Sequence, residues 1–209
     1  MHLSIRTTDS YGVAKNRYLI MRHGQAETNV RHIVSRNGTY SLTPEGRIQV
    51  TETARRLAAE EKIGIITCSP VLRAKETAEI VGTHVGIKNV SVDERFSEIN
   101  FGIFERKSVD AWENFFSSRY EKLRKPVPEG ESFADVQKRM MDGLMELEKM
   151  YTNKTILIIS HDDPLWLLYS VAGQLDEKAT LTLYMSEESG GKMFLDYAQA
   201  IEMPYKPNL

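Results

Sequence analysis

Three short apolar runs in this chain end in residues that can do chemistry. Tyr18–Met21 runs into Arg22-His23-Gly24. Ile63–Thr67 runs into Cys68-Ser69-Pro70, with Arg73 one helical turn further on. Thr155–Ile159 runs into Ser160-His161-Asp162. Ligands of open α/β sheets bind outside the carboxyl ends of the strands. With the three runs as parallel neighbours, two arginines and two histidines share one crevice. Guanidinium is a planar fork that grips phosphate oxygens in pairs and stays charged at every relevant pH. A neutral imidazole can attack phosphorus, and adjacent positive charge keeps it neutral by lowering its pKa. The grouping points to a phosphoryl pocket with a histidine nucleophile.

Competing chemistries fit less well. His23, His161, Asp162 and Asp163 are types that bind metal, but two arginines in the same pocket would repel a dication. A cysteine phosphatase loop needs five residues between Cys and Arg, and only four separate Cys68 from Arg73. Cys68 reads more simply as the end of a buried strand. Ser189-Gly190-Gly191-Lys192 lacks the spacing and the following Ser or Thr of a nucleotide-binding loop. His2, His32 and His84 fall in no such context and read as surface residues.

The elements that must hold these groups are legible. The three runs are short and rich in Ile and Leu, as buried parallel strands are. Thr43-Pro44, Ser69-Pro70 and Asp163-Pro164 each place a capping side chain before a proline. They predict helices over Pro44–Lys62, Pro70–His84 and Pro164–Ala172. Another is predicted from Ser132, with Asp135 closing a capping box and Phe133, Val136, Met140, Leu144 and Leu147 on one face. Alternating strands and helices imply a parallel α/β sheet covered on both sides. Lys88–Asp93 is a weaker strand, and Thr180–Met185 with Lys192–Tyr197 reads as an antiparallel edge pair. Ser108–Arg124 reads as one amphipathic helix, and residues 100–128 as a lid or a surface segment packed on the core.

At 209 residues the chain is long enough for one domain with a substantial core. We expect a single domain over 1–209, with its core about 17–200 and loosely held ends at 1–16 and 203–209. A net charge of −2 gives no reason to expect nucleic acid or an anionic membrane as partner. The single cysteine excludes an internal disulfide and fits a reducing cytosol. There is no apolar run of membrane-spanning length and no signal-peptide core near the start. The expectation is a cytoplasmic protein; the sequence carries no signal of oligomeric state.

The strings "RHGQAETN", "SPVLRAKETA", "SEINFGIFE", "PEGESFADV" and "ILIISHDDP" resemble, in order, the signatures of the histidine phosphatase superfamily in its phosphoglycerate-mutase-like branch. The resemblance spans Tyr18 to Leu168. It implies an α/β fold, a three-layer α/β/α sandwich around a mostly parallel sheet, and a phosphohistidine intermediate with no metal or other cofactor. Matched residue by residue, His23 is the nucleophile, Arg22 and Arg73 are phosphate ligands, and His161 is the second histidine. Glu98 is the proton donor to the leaving oxygen, a role that needs a protonated carboxyl. Asn29 matches a polar phosphate contact, or a loop-turn residue. Gln25 occupies a substrate-side position that is usually Glu, Glu105 matches a family glutamate, and Arg106 stands where glycine is common. Asp162 is the clearest departure, because His-Gly is the usual pair in this branch. A His-Asp pair marks the acid-phosphatase branch, where the aspartate gives the proton, so Asp162 rivals Glu98. Asp163 reads as the helix cap.

The reading is a phosphatase acting on small phosphomonoesters, with phosphate or a phosphorylated metabolite as partner. A mutase needs a closed site with extra cations for a second anion, and the sequence shows no strong arginine pair placed for one. A non-catalytic phosphate-binding module, or a module of a larger protein, is the remaining alternative.

Overall fold

The computed structural model of the chain describes residues 14–37, 39–184 and 194–205. Its sheet has the strands β1 (Arg17–Arg22), β2 (Ile65–Cys68), β3 (Ser91–Val92), β4 (Thr155–Ser160) and β5 (Ala200–Glu202). Their order is β3-β2-β4-β1-β5. β1 to β4 run parallel and β5 is antiparallel on β1. The helices are α1 (Glu27–Val30), α2 (Pro44–Glu60), α3 (Leu72–Val85), α4 (Val109–Glu113), α5 (Arg119–Arg124), α6 (Phe133–Met150), α7 (Asp162–Ala172) and α8 (Glu177–Tyr184).

Strand side chains alternate between faces, and here both faces are apolar. Tyr18, Ile20, Ile156 and Ile158 pack with Val136, Met140 and Leu144 of α6 and Leu165 and Leu168 of α7. Leu19, Met21, Ile66, Leu157 and Ile159 pack with Val50, Ala54 and Leu57 of α2 and Ala74, Ala78 and Val81 of α3. Fully burying each Ile or Leu contributes roughly 1.5–3 kcal/mol, so both layers are held firmly to the sheet. The expected three-layer sandwich forms for that reason.

Thr43 caps α2 by accepting from Gly46 N–H at 3.0 Å. The Ser132–Asp135 capping box opens α6. Two expected caps differ. Ser69 does not cap α3, which starts at Leu72; its hydroxyl accepts from Val71 N–H at 3.2 Å and turns toward the site. Asp163 does not cap α7, whose N-cap is His161; it lies inside the first turn.

Other expectations are corrected. Thr180–Tyr184 belongs to α8, because Leu181 is buried and Trp166 Nε1 donates to Thr180 O at 3.1 Å. Residues 194–197 form no strand, and the antiparallel edge strand is β5 instead. The rest of the expected pair, Met185 and Lys192–Met193, and the Ser189-Gly190-Gly191 turn lie outside the described residues. Lys88–Asp93 keeps only Ser91–Val92 as strand. Ser108–Arg124 is two short helices, α4 and α5, interrupted at 114–118.

Most of the two expected loose ends, residues 1–13 and 206–209, lies outside the described residues, and the parts within them make long-range contacts. The Lys15 N–H, Asn16 Nδ2 and Tyr18 hydroxyl all donate to the buried carboxylate of Glu148. Met203 N–H donates to Tyr18 O at 2.9 Å, and Tyr205 packs edge-on to the Tyr18 ring.

Candidate active site

Register brings the chemistry together. Arg22 pairs with Ser160, and Cys68 with Ile159. The residues just past these tips, His23, Ser69 and His161, are therefore neighbours. His23 N–H donates to Ser160 O at 3.1 Å and Ser69 N–H to Ile159 O at 2.9 Å, carrying the ladder one residue beyond the strands. The His23 and His161 ring centroids stand 5.1 Å apart. Gly24 permits this geometry: a Cβ there would lie 2.5 Å from Gly46 O, so only glycine lets the loop touch α2.

Arg73, the second residue of α3, lies between the imidazoles. Its Nε donates to His23 Nε2 at 3.0 Å and its Nη2 to His161 Nδ1 at 3.0 Å. Nη2 also donates to Ser35 O at 3.1 Å and to Glu98 Oε2 at 3.2 Å. Its Nη1 is buried and has no hydrogen-bond partner among the described residues. A buried unpaired donor costs about 1–3 kcal/mol, so this atom marks a place for an acceptor that the described residues do not supply. Arg22 donates from Nη1 to Leu195 O at 2.8 Å and stacks 4.3 Å over the Tyr197 ring.

These contacts select the tautomers. His23 Nδ1–H donates to Gly24 O at 2.7 Å, which leaves Nε2 with its lone pair toward Arg73. His161 Nε2–H donates to Ser69 Oγ at 2.8 Å. Burial, then Arg73, then Arg22 hold His23 well below its ordinary pKa. Burial and Arg73 do the same to His161. Both shifts favour neutral rings, and the His23 Nε2 lone pair accepts from Arg73 and faces the site.

Glu98 reaches the same spot from the loop after β3. Its Oε2 is 3.4 Å from His161 Nδ1, and burial raises its pKa against the pull of Arg73. Asp162 lies elsewhere. Its carboxylate accepts from Phe194 and Leu195 N–H at 3.3 and 2.9 Å and stands 3.9 Å from Arg22 Nη1. Burial also raises Asp162, opposed by Arg22. Asp163 is pushed up to about 8 by burial and by Asp162.

The remaining candidates support the loops. Asn29 Oδ1 accepts from Ala26 N–H at 2.8 Å, the turn role. Gln25 Oε1 accepts from the Thr43 hydroxyl at 2.8 Å, tying the loop to α2. Glu105 accepts from the Ser35 hydroxyl and from the N–H groups of Arg36 and Asn37. Arg106 takes the left-handed backbone that glycine would favour, φ 64°. Burial pushes the Cys68 thiol up to about 12, so it is no thiolate nucleophile. Among the described residues no three His, Cys, Asp or Glu side chains gather to hold a metal; a guanidinium occupies the space between the histidines. None of their helices is long and apolar enough to cross a membrane.

Sequence reading missed the Ser69 hydroxyl, the Ser35 carbonyl, and Thr77, whose Oγ1 accepts from Gly24 N–H at 3.3 Å. Ser69 sits at a strand tip, the signal that could have found it.

The chain matches the profile of the histidine phosphatase superfamily (branch 1) over residues 18–189. It is 29% identical over 151 residues to "Probable phosphoglycerate mutase GpmB" of Photorhabdus laumondii, covering 68% of this chain and 67% of that one. It is 31% identical over 153 residues to "Putative phosphoserine phosphatase 2" of Hydrogenobacter thermophilus, covering 69% and 72%. The chain spans 44% of the length of another curated relative, "Bifunctional protein Rv2228c" of Mycobacterium tuberculosis. Its fold matches a phosphoserine phosphatase of Entamoeba histolytica in complex with 3-phosphoglyceric acid, with TM-score 0.71, 23% identity, and coverage of 92% and 98%.

Proposed function

The chain belongs to branch 1 of the histidine phosphatase superfamily, and from that premise we propose that it hydrolyses small phosphomonoesters through a phosphohistidine on His23. The observation that carries this reading is Arg73: it spans both imidazoles and Glu98, and its buried Nη1 still has no partner among the described residues. A phosphoryl oxygen supplies the missing acceptor.

In this reading the ester's phosphorus meets His23 Nε2 in line. The Nε2 lone pair forms the N–P bond while the P–O bond to the leaving group breaks. Arg22 and Arg73 hold the equatorial oxygens, and His161 joins them through Nδ1 when the incoming anion favours a proton there; the charge these groups stabilise is most of the catalysis. Glu98 gives its proton to the departing oxygen: its Oε2 lies beside Arg73 and His161, and burial raises its pKa toward the protonated form that this role needs. Asp162 is the weaker candidate donor, because its carboxyl is tied to the Phe194 and Leu195 N–H groups beside Arg22 and does not stand next to Arg73 and His161 as Glu98 does. Water deprotonated by the Glu98 carboxylate then cleaves the N–P bond, releasing phosphate and restoring both groups.

Hydrolysis is favoured over mutase transfer by the charges near the site. Of the lid-region cations Arg119, Lys122, Arg124 and Lys125 that could help hold a second anion, the last three each pair with a glutamate: Glu113, Glu177 and Glu121. Lys122 is also enclosed by Trp112, Phe116 and Phe133. The phosphatase names of relatives support the same reading. A small phosphorylated metabolite is the partner, and the lone buried Cys68 suits a cytoplasmic location.

The test is phosphate release from p-nitrophenyl phosphate and a panel of phosphorylated sugars, glycerates and amino acids. Wild type is expected to turn over, His23→Ala to be inert, and, on the alkyl phosphates, Glu98→Gln to lose far more than Asp162→Asn. Tight phosphate binding without turnover of any member would replace this reading with the binding module.

A further inference from the structure

The "PEGES" string is conspicuous in the sequence, yet none of its residues enters the chemistry above. Its Glu131 forms a two-pronged pair with Arg139 of α6, Nε to Oε1 at 2.8 Å and Nη2 to Oε2 at 3.1 Å. The other Arg139 N–H groups go to backbone carbonyls: Nη1 to Arg95 O at 2.7 Å and to Ser97 O at 2.8 Å, and Nη2 to Glu98 O at 3.0 Å. The five guanidinium donors are thus all used. Ser160 Oγ donates to the remaining carbonyl of the stretch, Phe96 O, at 2.6 Å. Glu131 Oε2 accepts from Asn100 N–H at 2.8 Å, and Glu131 N–H returns a bond to Asn100 O at 3.0 Å.

Beyond the short 3₁₀ turn at Glu94–Phe96, this loop has no ladder of its own. Every carbonyl from Arg95 to Glu98 is nonetheless held by a side chain from α6 or from the tip of β4. The pair is mostly buried, with 15% and 18% of the two side chains exposed. It also receives Arg36 Nη1 at 3.2 Å, and Arg36 follows Ser35, whose carbonyl accepts from Arg73. One ion pair therefore braces the loop carrying the proposed acid and the loop steadying the phosphate-facing arginine.

We propose that Arg139 and Glu131 are positioning residues that fix the Glu98 carboxyl against the leaving oxygen. This rests on the reading in which Glu98 is the proton donor. Neither residue touches the phosphoryl group; they set where the acid stands. A displacement of about 1 Å at such a group is enough to cost on the order of a hundredfold in rate. A lysine at 139 cannot substitute, since its point ammonium has three donors and no fork.

A misplaced acid has a signature that general loosening lacks. An aryl phosphate such as p-nitrophenyl phosphate has a leaving group that departs without a proton, whereas an alkyl phosphate such as O-phosphoserine or glycerol phosphate needs one. For Arg139→Lys and Glu131→Gln, alkyl-phosphate kcat/KM, which reports the steps up to departure of the leaving group, is expected to fall about 10–100-fold, a part of the roughly 10²–10⁴-fold a general acid supplies. Aryl-phosphate kcat/KM should fall less than about threefold, a bound set by the small role of proton transfer in that step. Glu98→Gln should show the same split, and Glu98→Gln/Arg139→Lys no further loss. Parallel losses on both substrates, no loss on either, or additive loss in the double variant would overturn the positioning role. Glu131→Gln keeps the volume of the site and serves where Arg139→Lys folds poorly, judged by thermal melting. A wild type inert toward both substrates would instead bring down the phosphatase reading itself, and the inference with it.

Discussion

The Nε of Arg73 donates a hydrogen bond to the Nε2 of His23 at 3.0 Å. The nitrogen proposed to attack phosphorus thus meets a fixed cation before any substrate arrives. That contact cannot survive covalent attack at Nε2, so the guanidinium has to pass from the imidazole to the phosphoryl oxygens during the reaction. A lysine cannot make both contacts. Arg73→Lys is expected to lower kcat/KM by about 10²–10³-fold, the usual loss for one preorganised donor to transition-state charge. Steady-state kinetics check this; a loss under threefold would contradict it.

His161 depends on Ser69, whose hydroxyl accepts its Nε2–H at 2.8 Å. Ser69→Ala leaves a buried N–H unpaired, which costs about 1–3 kcal/mol. The variant should melt lower and also lose kcat, because the ring is free to rotate away from Arg73. An unchanged melting temperature would show that the ring finds another partner.

His161 also predicts a pH dependence of stability. Its folded pKa lies well below the ordinary 6.5, first because of burial and then because of Arg73. The unfolded chain therefore takes up a proton near pH 6.5 that the folded chain refuses. The stabilisation is full above that pH and is lost as pH falls below it. Each such histidine contributes a slope of up to about 1.4 kcal/mol per pH unit. His23 behaves the same way, while the raised carboxyls Glu98 and Asp163 act oppositely, losing stability as pH rises. The clean measurement is wild type minus His161→Gln by urea unfolding. That difference should shrink as pH drops from 7 toward 5, and a difference flat with pH would refute the assignment.

At the other end of the sheet, Glu148 accepts from Lys15 N–H, Asn16 Nδ2 and the Tyr18 hydroxyl. Glu148→Ala strands these donors together and should destabilise by roughly 3 kcal/mol, from the cost of buried donors left unmade. The site is at the opposite strand ends, so kcat of the folded fraction should stay within about twofold of wild type, as expected for distant, independent sites. A large loss of kcat would show coupling along β1.

Much of this was written locally. Apolar runs such as Thr155–Ile159 specify strands because both faces are covered, and Thr43 and Ser132 open helices through bonds spanning three residues. Arg22, His23 and His161 were legible because each directly follows or ends such a run. Asp163 and Ser69 misled for the same reason: a capping residue before proline looks alike whether its side chain turns to the helix or to a neighbour 92 residues away. Thr180–Leu183 has strand-like composition and became helix because α7 offers Trp166 to it.

The choice between Glu98 and Asp162 was beyond the sequence, which offers two carboxylates beside good motifs. Tertiary structure separates them: Phe194 and Leu195 N–H hold Asp162 on the side of Arg22, whereas Arg139 holds the loop that turns Glu98 toward Arg73. Local sequence determined which residues are strand tips, since burial pattern and caps act over a few residues. Which side chains then converge depended on register and long-range hydrogen bonds, and those exist only once the sheet has formed.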